Sequence, residues 1–224
     1  MSLRLLWVLP AAAALVAAIH AAALRGLADA HYTSARLTLM EGSAPNGSVR
    51  AESLAAAIAS LRQALVLEPS NPLYVEQTAR LQELRALQMR RGDPAANETL
   101  QLSLAQYRDA VLMRPGSPYV WASIAMLKAR LDLLDFEFYR ALERAGRLGP
   151  WEPQVQIAMI DVGLATWPVL ARTGRDAVLG ALERGLLRQA PEIRRIAAAH
   201  GTLPRACKEA GESMPRLAAF CAKG

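Results

Sequence analysis

Aromatic side chains, lysine, histidine and cysteine are all scarce in this 224-residue chain, which carries three Phe, five Tyr, four Trp, three His and two Cys. With few aromatics and Ala dominant, a β-sandwich core is excluded and closely packed helices are favoured, so the fold class is all-α. The three histidines, His20, His31 and His200, are scattered, and none has the H-x-x-x-H or H-E-x-x-H spacing of a helical zinc site. The expectation is that His20 and His31 are interfacial or exposed. Glycines are dispersed, with no G-x-G-x-x-G, P-loop or G-x-S-x-G, so phosphate cradling and the nucleophile elbow are excluded as well. Lysine occurs only at Lys128, Lys208 and Lys223, so the formal charge of +6 and pI near 9.8 come almost entirely from Arg. Those Arg are interspersed with acids, as from Arg140 to Arg147, and Arg90-Arg91 and Arg194-Arg195 are the only adjacent basic pairs. That pattern is a solvated helix face rather than a nucleic-acid surface.

Charge is also missing from Leu5 to Leu24, 20 residues free of Asp, Glu, Lys and Arg and bracketed by Arg4 and Arg25. At about 1.5 Å per residue this stretch matches a bilayer core of roughly 30 Å. Trp7 falls where an interfacial ring would sit. A cleaved signal peptide is the competing reading, with Ala21-Ala22-Ala23 as the cleavage site. No proline interrupts the pattern from Leu24 to Pro45, so the anchor is expected to continue as the first helix of the soluble region. The flanking Arg4, Arg25 and Arg36 lean weakly toward a cytoplasmic C-terminal domain. The cysteines lean the other way. Cys207 and Cys221 are an even pair near the chain end that could staple a hairpin in an oxidising compartment; two free thiols is the alternative, and a zinc motif is lacking.

What the chain does have is a turn that occurs three times: Pro69-Ser70-Asn71-Pro72, Pro115-Gly116-Ser117-Pro118 and Pro150-Trp151-Glu152-Pro153. The first proline ends one helix and the second opens the next, because proline lacks an N–H but suits the first helical turn. Counting back from each closing turn gives Ala57, Leu61 and Ala64, then Ser103, Tyr107 and Ala110, then Phe138, Leu142 and Ala145. A small residue lets two helices approach while the large one fills the groove beside it. The three copies lie 46 and 35 residues apart. The excess falls in Met89 to Glu98, read as a lengthened loop or as extended helices. Helices are expected at 25–41 and Glu52 to Glu68 around the Gly42 to Ser48 loop, and a weaker hairpin runs from Pro153 through the Trp167-Pro168 kink to Arg175–Gln189.

These spacings resemble the tetratricopeptide repeat, in which Trp121, Ile124 and Ala125 would match the first helix of the third hairpin. The resemblance implies a helical-hairpin solenoid with a groove for a helix or extended segment of a partner. More narrowly, the run from Pro115 to Gln156, behind a short anchor, resembles the small single-pass VpsP-type proteins of bacterial exopolysaccharide biosynthesis. That likeness implies an accessory role at the inner membrane.

Single residues add little chemistry. Asp132 and Asp135 are expected to cap a helix rather than divide acid and base work. Asn46-Gly47-Ser48 and Asn97-Glu98-Thr99 fit the glycosylation sequon in loops and are discounted. Trp121 and Trp167 lie at helix starts or turns, whereas Trp151, between two prolines, is the candidate exposed partner anchor. The expected organisation is 1–24 anchor or signal peptide, 25–190 repeat domain and 191–224 cap stapled by the cysteines. The expected function is a non-catalytic scaffold, without cofactor, metal or nucleic acid, in a bacterial inner-membrane assembly for exopolysaccharide production, its bulk periplasmic. An adaptor or chaperone of another envelope complex is the runner-up, and an unrecognised enzyme the third reading.

Overall fold

The structure, a computed structural model, describes residues 3–44, 47–90, 92–210 and 213–222, with the backbone alone for 3–7. The side chains of Arg4 and Trp7, the Asn46 sequon, Arg91, Gly211 and Lys223 therefore lie outside the described residues. Among the described residues there is no β-strand, only a bridge between Ser43 and Val49, and eleven α-helices succeed one another. They are α1 Leu3–Gly42, α2 Ala51–Leu67, α3 Pro72–Gln88, α4 Pro94–Met113, α5 Pro118–Arg130, α6 Phe136–Leu148, α7 Pro153–Thr166, α8 Arg172–Gly185, α9 Ala190–His200, α10 Leu203–Lys208 and α11 Pro215–Cys221.

All three proline turns sit between helices, and Pro72, Pro118 and Pro153 each open one. Side-chain caps fix further boundaries: Asn71 Oδ1 accepts from Leu73 N at 3.0 Å, Asp93 Oδ1 from Ala95 N at 2.9 Å, and Asp135 Oδ1 from Phe138 N at 3.1 Å. Each satisfies an N–H that the first helical turn leaves unpartnered. Asp135 is thus a capping residue, and Asp132 sits beside it in the left-handed region at φ 56°.

The longer spacing of the first two turns is resolved entirely in favour of longer helices. The connections 89–93 and 131–135 have equal length, but α3 has 17 residues against 13 in α5, and α4 has 20 against 13 in α6. The additions of four and seven residues are each close to whole turns of 3.6, so the buried faces keep their phase. Met89 to Glu98 is accordingly no long loop: α4 begins at Pro94, and Asn97 lies in its first turn rather than in a loop. The last helix of the weaker hairpin also shifts, running Arg172–Gly185 instead of 175–189, because residues 186–188 form a turn.

Two compact units divide the chain, Met1–Gln106 and Tyr107–Gly224. In the first, α1 runs unbroken for 40 residues, about 60 Å, through Pro10 and past residue 24. Its C-terminal half packs on α2: Ala28 and Ala35 are buried, and Gly42 has no room for a Cβ beside Ser53. Ala28 meets Ala64 and Tyr74, while Ala35 joins Leu54, Ala57, Ile58, Leu61 and Leu81. Tyr74 donates to Asp29 Oδ1 at 3.2 Å, and burial together with that carboxylate pushes its phenol up to about 12. Ser103 Oγ, buried in α4, donates to Ala79 O of α3 at 2.7 Å. His20 is exposed, but His31 is half-buried.

In the second unit neighbouring helices pack in pairs, α5 with α6 and α7 with α8, and alternate helices also touch, α5 with α7, α6 with α8 and α7 with α9. Small residues set the closest approaches. A Cβ on Gly163 of α7 would enter the buried Val178 side chain of α8. The last helices, α9, α10 and α11, follow α8 and are held by two polar contacts and a disulfide. Arg175 pairs with Glu209 at 2.7 Å, and the Glu183 carboxylate accepts from Leu217 N at 2.8 Å and Arg216 N at 3.2 Å at the start of α11. Cys207 and Cys221 form a disulfide between α10 and α11, with Cα atoms 5.8 Å apart.

Candidate functional site

Trp151 is 64% exposed, whereas Trp121 and Trp167 are buried at 6% and 1%. Its turn is held from every side. Gly149 ends α6, and a Cβ there would stand 2.7 Å from Pro118 Cβ, so glycine lets the turn lie against the first residue of α5. The Pro150 carbonyl accepts from Gln156 Nε2 at 2.8 Å and from Arg184 Nε at 3.0 Å. Gln189 Nε2 donates to Gln156 Oε1 at 3.0 Å and to Pro153 O at 3.2 Å. Tyr119 Oη donates to Glu152 Oε2, which raises the phenol above its usual range, and burial lowers the Arg184 guanidinium from its own. The indole is thus an apolar plate on a fixed base, next in the chain to Glu152, which holds the Tyr119 hydroxyl. Such a plate can bind by desolvation with little ordering cost, and it offers no nucleophile. Gln156, Arg184 and Gln189 escaped the sequence reading: nothing local marks the side chains of Arg184 and Gln189, which reach carbonyls 34 and 36 residues away, and Gln156 reaches back only six residues but carries no motif.

The nine positions counted back from the turns are all buried: Ala57, Leu61 and Ala64; Ser103, Tyr107 and Ala110; Phe138, Leu142 and Ala145. Trp121, Ile124 and Ala125 are buried too, and Trp121 Nε1 donates to Pro115 O at 2.8 Å.

A second polar cluster lies inside the helical stack. Lys128 is buried to 1%, with Nζ at 2.8 Å from Asp135 and 2.7 Å from Glu137, and Arg108 meets the same Glu137 through two bonds of 2.8 and 2.6 Å. Arg108 and Lys128 hold the Glu137 carboxyl down to about 2, and Lys128 lowers Asp135 as well. Every charge has an opposite neighbour, so the cluster locks α5 to α6. A signal for it existed: Lys128 comes after Trp121, Ile124 and Ala125 at the next position of the same helical stripe, where a core residue is due.

His200 Nε2 stands 2.7 Å from Asp161 Oδ1 at the edge of a cleft of about 270 Å³ that also contains Arg130 and Asp132. Two hydroxyls of the same region donate elsewhere, Thr166 to Val162 O at 2.8 Å and Thr202 to Leu164 O at 2.6 Å. Among the described residues no group of three His, Cys, Asp or Glu could hold a metal. No protein-family model matches this chain, and no curated protein matches it.

Proposed function

We propose that this chain is a single-pass, membrane-anchored scaffold with a short tetratricopeptide-like solenoid, serving a bacterial envelope assembly for exopolysaccharide production and recruiting a protein partner through Trp151. The observation that carries the reading is α1. Residues 8–23 are exposed all round, including Val8, Leu9, Leu15, Val16 and Ile19, while the same unbroken helix buries Ala28 and Ala35 against α2. An apolar rod with no protein around it, rigidly joined to a folded unit, suits an anchor whose solvent is lipid. Repeated hairpins support a solenoid, through the equal spacing of nine buried positions before the proline turns and the contacts between alternate helices in the second unit. The Cys207–Cys221 bridge favours the oxidising side of the inner membrane for the bulk of the chain.

Two measurements test the proposal. Alkaline carbonate should leave the full-length protein in the membrane fraction; a soluble chain beginning near Leu24 would replace the anchor by a cleaved signal peptide. Trp151→Ala should weaken partner binding about thirtyfold, the equivalent of about 2 kcal/mol, and reduce polymer yield without changing helicity or abundance. Normal polymer output and partner capture in the deletion strain and the variant would refute the scaffold role.

A further inference from the structure

The C-terminal cap encloses a pit of about 680 Å³ whose wall is built from three helices: Ala198 of α9, Leu203, Pro204 and Cys207 of α10, and Phe220 and Cys221 of α11. Gly201, left-handed at φ 66°, ends α9 and, with Thr202, turns the chain into α10; a Cβ on Gly201 would meet open space. One charge belongs to this otherwise apolar lining. Arg194 sits with its guanidinium carbon 5.4 Å from the centroid of the Phe220 ring. Arg195, Arg175 and Arg216 pair with Glu192, Glu209 and Glu183, whereas among the described residues no carboxylate pairs with Arg194, the one charged residue of the lining; Arg205 and Lys208 of α10 are also without a carboxylate but do not line the pit.

We infer that the pit binds a single-chain apolar carboxylate, a fatty acid in chemical class, with the chain on Leu203, Pro204, Phe220 and the disulfide and the carboxylate on Arg194. The volume lies within the range of small-molecule sites, which are mainly apolar with a few polar groups that fix orientation. A partner helix fits less well, since a cylinder about 10 Å across would have only about one and a half turns inside 680 Å³. The single cation calls for a single anion, and the planar guanidinium pairs with a carboxylate through two parallel hydrogen bonds. The disulfide ties α11 to α10, and the Glu183 carboxylate holds the start of α11, so both help to fix the far wall of the site. This inference is independent of Trp151, and the anchor enters its test only as the control.

The test uses the full-length protein in lipid nanodiscs, labelled with a photoreactive diazirine analogue of palmitate, and in parallel with the corresponding uncharged alcohol. Site-resolved mass spectrometry should find the carboxylate probe on residues 194–207 and 217–221, and excess palmitate should compete it away. Probe dissolved in lipid will also label α1, which serves as the internal control. Arg194→Gln should lower cap labelling by the carboxylate at least fivefold while leaving the alcohol within twofold. Ala198→Trp, which fills the pit, should remove both. Labelling confined to α1, equal loss of acid and alcohol in Arg194→Gln, or cap labelling that survives Ala198→Trp would each overturn the inference. So would a dimer of the full chain that Ala198→Trp abolishes, because a second copy would then occupy the pit.

Discussion

Lys128 offers the sharpest test of how the second unit is held together, because its charge can be isolated without disturbing its neighbours' shapes. Asp135→Asn keeps the α6 cap, since Asn and Asp cap helices about equally well, and Glu137→Gln keeps side-chain volume. Together they remove both carboxylates from an ammonium that is 1% exposed. A buried charge stripped of its partners costs about 3–5 kcal/mol, whereas exchanging the whole ionic group for apolar side chains is often neutral. Arg108 is 46% exposed and can rehydrate when Glu137 is lost, so the cost falls on Lys128. The double variant should therefore melt roughly 10–20 °C below the parent, and adding Lys128→Met should recover most of that loss. Trp121, Trp151 and Trp167 all lie in this unit, so tryptophan fluorescence tracks its unfolding. If the triple variant is no more stable than the double, the Lys128 charge is not what the carboxylates stabilise. Acid performs a related experiment. The Glu137 carboxyl falls from an ordinary 4.5 to about 2 on folding, so its stabilisation is complete above about pH 4.5 and fades as the pH drops toward 2. With 31% of the side chain exposed, solvent screening limits that contribution to about 1–2 kcal/mol.

Gly163→Ala should destabilise the α7–α8 contact by about 1–3 kcal/mol in a thermal melt, and Val178→Ala in the same chain should relieve it; an additive loss would place the clash elsewhere. Ala110→Leu should overpack a buried position by a similar amount, and an unchanged melting curve would put the repeat register on the wrong face. Glu183→Ala should speed hydrogen exchange at Arg216 and Leu217, whose N–H groups lose their acceptor, while the disulfide keeps α11 attached; unaltered exchange there would refute the capping role.

Helix boundaries were legible where the determinant is local. Each proline of the three turns acts on its own residue and the one before it, so α3, α5 and α7 begin where the sequence says. The burial of Trp121 and Trp167 against the exposure of Trp151 obeys the same logic, since only Trp151 has a proline on each side of its turn. Asp93 shows the limit. Gly92-Asp93-Pro94 reads as a break, but Asp93 caps the next helix at once, and the break shrinks to a short connection. Arg184 and Gln189 on the Pro150 turn, Glu183 on α11 and Arg108 on Glu137 were out of reach, because each joins residues 29 to 36 apart whose meeting depends on how the helices stack. Arg194 belongs with them, since its lack of a partner becomes visible only once Phe220 lies beneath it.

The equal connections and unequal helices of the two successive hairpins amount to a rule for changing size. Removing four residues from α3, or seven from α4, turns the downstream part of the helix by about 40° or 20° and leaves the same stripe facing inward, whereas removing two would swing it by roughly 160° and expose the core. This architecture can be shortened or lengthened in such quanta and hardly otherwise, so the distance between its proline turns is a quantity that selection can set in steps, like notches on a ratchet, without turning the remaining buried stripe outward.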